Sequence, residues 1–485
     1  MRFLTLALGA LVLLAVALAV NTARVQPAPR AAAATDLPAL DEKALAQHLS
    51  AAVRVPTVTY TERDRVDWSQ FGKLHEVLKK QFPRVHKELK RETVAQRSLL
   101  FTWRGSDASM PPILLLAHQD VVPIEPGTEK SWTHPPFAGE IADGFVWGRG
   151  TLDDKASLVA QLEAAEWLLA HGFKPKRTLY FAFGHDEEIS GTEGATNLAK
   201  ELAKRRVKAE FSLDEGGSIT VGVVPNVKAP VASIMTAEKG YVSFRLTAHD
   251  PGGHSSRPGP TTAIGRLSRA VARLQAHPFR PHLTAPVRDM LTRLAPEYPL
   301  AQRVAVANLW LLRPLVVRRM TEGRITNALV RTTTAPTIFS AGIKDNVLPS
   351  EASAVVNFRI APDESIADVE RHVRRVMDDD GIELAVLDFA SEPSTPASDR
   401  TPGFQLLERT VNEVFPEAVV SAGLVIGATD NRHYGAVREQ RYNFAPLVIG
   451  EEDLSRVHGS NERVATRDYV RMVQFYLRLI QNAAG

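Results

Sequence analysis

His118, Asp153, the adjacent pair Glu187 and Glu188, Glu215 and His458 suit one chemistry by residue type. Imidazoles and carboxylates are nitrogen and oxygen ligands. A pair of divalent cations about 3.5 Å apart needs several of each, with one carboxylate shared between the two ions. Such a centre also needs a carboxylate that is not a ligand, to take a proton from the attacking water. The chain contains no cysteine. Thiolate catalysis, disulfides and cysteine-ligated zinc are therefore excluded, and any metal must be held by His, Asp and Glu.

Taken one at a time these residues say little. A His-x-Asp triplet is common by chance, a lone histidine is more often structural than a ligand, and an acidic pair is usually solvated. The same bland reading applies to Asp153-Asp154 in front of Lys155. Their placement makes them worth assembling. Two neighbouring carboxylates at the end of an apolar strand repel each other unless something cationic lies between them.

The elements that would position them follow from hydrophobic patterning. Helices are expected over 40–53 and 68–82, then a short strand over 99–103. An apolar strand over 112–117 runs into His118-Gln119-Asp120. A helix over 157–171 stops at Gly172, and a strand over 178–183 ends at Gly184-His185-Asp186-Glu187-Glu188. A helix over 197–205 precedes a strand over 209–213 that ends at Asp214-Glu215. Brief apolar runs alternating with helices indicate a mainly parallel, buried sheet. Sites in such sheets form beyond the carboxyl ends of the strands, so residues distant in sequence should converge there.

From about residue 239 the pattern changes. Strands over 241–248, 337–343, 352–360 and 383–389, with helices over 261–275 and 366–377, give a β-α-β-β-α-β order. That order suggests a small ferredoxin-like domain inserted into the first. Residues 277–331 are additional, rich in Arg and Leu, and their role is not assigned. After Pro393 the chain rejoins the first domain, with a helix over 404–414, a strand over 419–424, a loop over 427–432 and a last helix over 468–481. The expected fold class is α/β: a catalytic domain with a mainly parallel central sheet flanked by helices, plus an inserted α+β ferredoxin-like domain. The expected boundaries are 1–24 for a signal peptide or membrane anchor, 25–38 for a Pro/Ala-rich linker, 39–237 for the first part of the catalytic domain, 238–393 for the inserted domain and 394–485 for the second part.

In order, the chain reads His118-Gln119-Asp120-Val121-Val122-Pro123, Trp147-Gly148-Arg149-Gly150-Thr151-Leu152-Asp153-Asp154-Lys155, Gly184-His185-Asp186-Glu187-Glu188-Ile189-Ser190-Gly191 and Leu213-Asp214-Glu215-Gly216-Gly217. It continues through Pro251-Gly252-Gly253-His254-Ser255-Ser256, Asn346-Val347-Leu348-Pro349, Gly427-Ala428-Thr429-Asp430-Asn431-Arg432 and His458-Gly459-Ser460-Asn461-Glu462-Arg463. This set resembles the M20 family of metallopeptidases, which holds aminoacylases, carboxypeptidase S-type enzymes and dipeptidases. Within it the chain is most similar to the branch of carboxypeptidase S and the secreted hydrolases of N-fatty-acyl amino acids. Ser190 stands where many relatives have glycine.

The resemblance implies a zinc-peptidase-like catalytic domain with the inserted ferredoxin-like domain as its lid, and two divalent cations, zinc first with cobalt or manganese as alternatives. Asp153 would bridge them, with His118 and Glu215 completing one site and Glu188 and His458 the other. Asp214 is the alternative to Glu215, since some members use Asp there. Glu187 would be the general base and later protonate the leaving amine. Asp120 would accept a hydrogen bond from the far nitrogen of His118, and His254 on the lid would stabilise the oxyanion. Arg432 would clamp the substrate carboxylate, and Asn346 would hold substrate from the lid side. His185 is read as structural. A swinging lid, with open and closed states, is expected.

The implied activity is hydrolysis of an amide bond next to a free carboxylate, in an N-acyl amino acid or at the C-terminal residue of a short peptide. A dipeptidase is the alternative, and a catalytically inactive metal-binding homologue is the alternative of another class. The intact ligand set argues against the inactive reading. There is no Gly-x-Ser-x-Gly elbow for a serine hydrolase. Gly148-Arg149-Gly150 lacks the third glycine of a dinucleotide loop.

At 485 residues, 44% hydrophobic and 23% charged, the chain has the composition of a multidomain globular protein. A net charge of +3 is too small to indicate nucleic acid. The partner expected is a small molecule or short peptide with a free carboxylate, with a possible homodimer through the lid. Residues 3–20 carry no charge and are rich in Leu, Ala and Val. Export is expected, with either cleavage near Ala17-Leu18-Ala19 or retention as a membrane anchor, and membrane contact only through this segment.

Overall fold

The computed structural model describes residues 2–27 and 32–485; residues 28–31, in the stretch expected as a linker, lie outside the described residues. Four parallel strands form the centre of the large sheet: Leu179–Gly184, Ile113–His118, Ala209–Asp214 and Arg438–Asn443, adjacent in that order. Ile113–His118 is buried at every position, because helices cover both faces. Lys155–Ala170, Thr466–Ala484, Glu42–Val53 and Pro402–Val414 pack on one side. Gly194–Lys204 packs on the other through Ala195, Leu198 and Leu202. The register pairs Ile113 with Leu179 and His118 with Gly184, so the polar residues that end these runs emerge at one edge.

Two strands escape the periodicity argument for opposite reasons. Lys90–Val94 is an exposed edge strand antiparallel to Ser98–Trp103, with no apolar face to signal it. Arg438–Asn443 is polar by sequence yet sits inside the sheet. There Arg441, buried, donates to Glu238 at 2.6 Å. Buried charge of this kind is tolerated only when paired, and the pairing is invisible in the sequence. Beyond it, Val231–Glu238 runs antiparallel and carries Val419–Val425 in parallel.

The second unit is a four-stranded antiparallel sheet in the spatial order Thr333–Ala341, Glu351–Ile360, Gly240–His249, Ile382–Ser391. Its first strand in the chain lies between the third and the fourth, the ferredoxin-like arrangement. Ala263–Ala276 and Ile366–Met377 close its core, in which Phe244, Leu246, Val356 and Phe358 meet Leu267, Val369 and Val373. A capping box at Ser365 and Asp368 starts the second helix.

Residues 277–331 interrupt the first crossover of this unit, but their helices pack on the larger body. Val287, Leu291 and Leu294 of Ala285–Leu294 meet Val231, Ala237, Val419 and Leu424 of the large sheet. Lys239, where the chain leaves for the smaller unit, donates from Nζ to the carbonyls of Ala328 at 2.7 Å and Arg331 at 2.6 Å. At the amino terminus, Arg2–Ala23 is one helix, and its Phe3–Ala23 portion is long and apolar enough to cross a membrane.

Candidate metal centre

His118 ends its central strand and is buried. Its Nε2 lies 2.8 Å from Asp153 Oδ1 and 3.5 Å from Glu215 Oε1. On the other side of the same carboxylate, Asp153 Oδ2 lies 3.0 Å from His458 Nε2, which is 3.2 Å from Glu188 Oε2. Asp153 thus splits its two oxygens between two imidazoles 340 positions apart, each backed by its own glutamate. His118, Asp153 and Glu188 form one trio of ligand atoms within 4.8 Å, and His118, Asp154 and Glu215 form another. Ligands about 2.1 Å from a tetrahedral zinc sit roughly 3.4 Å from each other, close to these spacings.

The charge balance points the same way. Like charges 4 Å apart repel by about 4 kcal/mol at an effective dielectric constant of about 20. Asp153, Asp154, Glu187, Glu188 and Glu215 meet there with two imidazoles. The nearby basic side chains are engaged elsewhere: Lys155 donates to the carbonyls of Ala52 and Val55, and Arg149 pairs with Glu462 at 2.6 Å. Both oxygens of Asp154 and Oε1 of Glu188 are buried without a hydrogen-bond partner. Burial, reinforced by neighbouring carboxylates, pushes Glu188 up to about 7 and Glu215 up to about 8. Glu187 and Asp154 are raised well above the carboxylate range for the same reasons. Hydrogen bonds to Asp153 and Glu188 raise His458 to about 10. A donor set this rich in oxygen, short of positive charge and holding orphaned carboxylate oxygens fits divalent cations.

The supports of the cluster explain its geometry. Asp120 Oδ1 accepts the backbone N–H of Glu187 and Oδ2 that of Glu188, each at 3.1 Å, and Thr59 donates to Oδ2 at 2.8 Å. His118 Nδ1 is 3.0 Å from the backbone carbonyl of Asp120 and 3.4 Å from its carboxylate. The carboxylate therefore holds the acidic pair more closely than it holds the imidazole. Glu462 is fully buried, and one of its oxygens accepts the N–H groups of Gly150, Leu152 and Asp153, at 3.0, 2.7 and 3.2 Å. Gly150, at φ +91°, bends the chain so that this is possible. Asn443 donates to the Glu215 carbonyl at 2.6 Å.

Of the residues singled out by sequence, His118, Asp120, Asp153, Glu187, Glu188, Glu215 and His458 come together. Glu215 reaches His118, whereas Asp214 belongs to neither trio. His185 is bonded to Ser98 at 2.7 Å and packed edge-on against Trp68 and Phe71, in a structural setting. Arg432 faces the smaller unit, its guanidinium 5.0 Å from the centre of the Phe389 ring, and among the described residues no carboxylate pairs with it. His254 and Asn346 do not join the cluster. His254 is exposed in the two-residue strand Gly253–His254, paired with Val347–Leu348, and its Nδ1 accepts from Ser256. The sequence assigned no role to Glu462, Asp154, Thr59 or Asn443. Glu462 stands in the segment that supplies His458, but an isolated glutamate carries no pattern of its own.

The model of peptidase family M20/M25/M40 matches residues 114–482. A probable carboxypeptidase S-like 2 of Dictyostelium discoideum is 41% identical, over 91% of this chain and 86% of that protein. The N-fatty-acyl-amino acid synthase/hydrolase PM20D1 of Mus musculus is 42% identical, over 91% of this chain and 88% of that protein. Among solved structures, the M20 family metallo-carboxypeptidase Sso-CP2 of Sulfolobus solfataricus superposes with a TM-score of 0.68 over 92% of this chain and 99% of that one, at 18% identity. That likeness speaks for the fold. The chain belongs to peptidase family M20/M25/M40.

Proposed function

We propose that this protein hydrolyses the amide bond next to a free carboxylate, in an N-acyl amino acid or at the C-terminal residue of a short peptide. The observation that carries the reading is the division of the Asp153 carboxylate between His118 with Glu215 and Glu188 with His458. Those five residues would hold two divalent cations, with zinc the metal that best suits a mixed imidazole and carboxylate set. When bound, the cations supply the positive charge that acidifies water and polarises the scissile carbonyl.

The protein's own residues carry the rest. Glu187, in an environment that raises its carboxyl, takes a proton from the attacking water as the new C–O bond forms, and returns it to the leaving amine as the C–N bond breaks. Asp120 fixes the backbone of Glu187 and so the direction of that transfer. Arg432, whose charge meets no acidic partner among the described residues, binds the substrate carboxylate in a two-pronged contact. His254 and Asn346 lie together on the smaller unit. They reach substrate only if that unit closes as a lid or a second copy supplies them. The exposed edge strand Thr333–Ala341, with Ile338 and Phe339 turned to solvent, is the edge through which we expect copies to pair. We further read the amino-terminal helix as directing export.

The test is Glu187→Gln, assayed on a panel of N-acyl amino acids and short peptides. It should retain its cations and lose roughly two to four orders of magnitude in turnover. A fully active variant would remove the general base and with it this reading.

A further inference from the structure

The segment 277–331 has no part in the metal centre, yet it carries several exposed apolar side chains on two successive helices. Trp310 is 61% exposed, Leu315 59%, Leu300 69% and Leu311 42%. On the helix Leu309–Met320, Trp310, Leu311 and Leu315 lie on the outer side, while Val317 and Met320 are buried. Arg318 and Arg319 extend the outer side at the carboxyl end. An apolar patch rimmed by arginines is unusual on a surface facing only water.

Its neighbour identifies the occupant. Asn308, buried at the junction of Leu300–Ala307 and Leu309–Met320, donates from Nδ2 to the Leu18 carbonyl at 3.3 Å and accepts from Asn21 at 3.0 Å. Both contacts belong to the last turns of the apolar amino-terminal helix. Val25, just beyond that helix, packs on the core of the 277–331 helices. The Trp310 indole donates to the same Asn308 at 3.3 Å. The 21 residues Phe3–Ala23 span about 31 Å as a helix, close to a hydrocarbon thickness of about 30 Å. Trp310 therefore stands at the level where such a span leaves the bilayer, the depth that tryptophan favours.

We propose that the amino-terminal helix is retained as an anchor and that the protein body rests on the same bilayer through Leu300, Trp310, Leu311 and Leu315, with Arg318 and Arg319 on anionic headgroups. The body is then held in a fixed orientation rather than tethered on a loose linker. The inference does not depend on the reaction catalysed.

Because the chain has no cysteine, single nitroxide labels can be placed cleanly. Full-length Leu315→Cys, Leu311→Cys and Ile343→Cys would be labelled in vesicles of phosphatidylcholine and phosphatidylglycerol. Collisions with lipid-dissolved oxygen and with a water-soluble nickel chelate are then compared. Labels at 311 and 315 should favour oxygen, and the label at 343, on the smaller unit, should favour nickel. As a measurement that leaves the patch intact, brominated lipids should quench fluorescence in the parent chain, and Trp310→Phe should remove most of that quenching. Three results would overturn the proposal: nickel preference at 311 and 315 in vesicles, shielding from both reagents because a second copy covers the patch, or a mature protein whose mass lacks the amino-terminal helix.

Discussion

The carboxylate of Asp120 accepts the backbone N–H of Glu187 at 3.1 Å, across 67 residues of sequence. Its second oxygen does the same for Glu188, also at 3.1 Å, so one side chain fixes both members of the acidic pair. Asp120→Asn would turn an NH2 group toward one of these N–H donors. The unsatisfied donor costs about 1–3 kcal/mol. Displacement of Glu187 should lower kcat by about 10- to 100-fold with KM little changed. Steady-state kinetics checks this, and an unchanged kcat would show that the Glu187 position does not depend on Asp120.

Glu462 does for the Asp153 loop what Asp120 does for the acidic pair. Glu462→Ala removes the acceptor for Gly150, Leu152 and Asp153 and strands Arg149, which is buried. Breaking a buried pair from one side costs about 3–5 kcal/mol. Denaturant melts should show a loss of that size. Metal titration should show affinity reduced about 10- to 100-fold, because the bridging ligand is no longer aimed. Stability lost with unchanged metal affinity would make Glu462 purely structural.

Cation uptake should be linked to protons. Without cations, burial and the neighbouring Asp153 hold Glu188 near 7 and Glu215 near 8, and His458 bonded to Asp153 and Glu188 stands near 10. Each is protonated below its own value and must lose that proton to become a ligand. Uptake at neutral pH should release protons, and apparent affinity should rise with pH from about 7 up to about 10, the span of these values. Calorimetry in buffers of different ionisation enthalpy measures the release. Uptake with no proton release would mean that these groups are not the ligands.

Arg432→Ala should weaken substrates with a free carboxylate by about 10-fold or more in kcat/KM, since a charge-assisted contact is worth about 1.5–3 kcal/mol. The same compounds with the carboxylate amidated should change little. Equal losses on both would remove the clamp.

The convergence of the candidate ligands was legible because the strands that carry them are short apolar runs that stop at polar residues. His118 ends Ile113–His118, and Glu187 with Glu188, and Glu215, follow Leu179–Gly184 and Ala209–Asp214. The ferredoxin-like unit was legible for a related reason, since Gly240–His249, Glu351–Ile360 and its two helices keep one apolar face each. The supports were not. Glu462, Thr59 and Asn443 act through single hydrogen bonds to backbone groups far away in sequence, and no periodicity records such a contact. Arg438–Asn443 was hidden for a third reason: the charge of Arg441 is cancelled by Glu238, which the sequence places 203 residues earlier. In sequence the 277–331 segment shows only its richness in Arg and Leu, and only the fold shows that its helices lie against the large sheet and the amino-terminal helix.

The central claim is that Asp153 joins two cation sites, one completed by His118 and Glu215 and the other by Glu188 and His458. The most direct measurement is the metal content of the purified protein after chelation and re-addition of zinc, by elemental analysis alongside turnover. About two ions per chain are expected in the parent protein, about one in His458→Ala and almost none in Asp153→Ala, with activity falling in step. A parent protein that takes up no divalent cation, or that keeps full turnover in chelator, would contradict it.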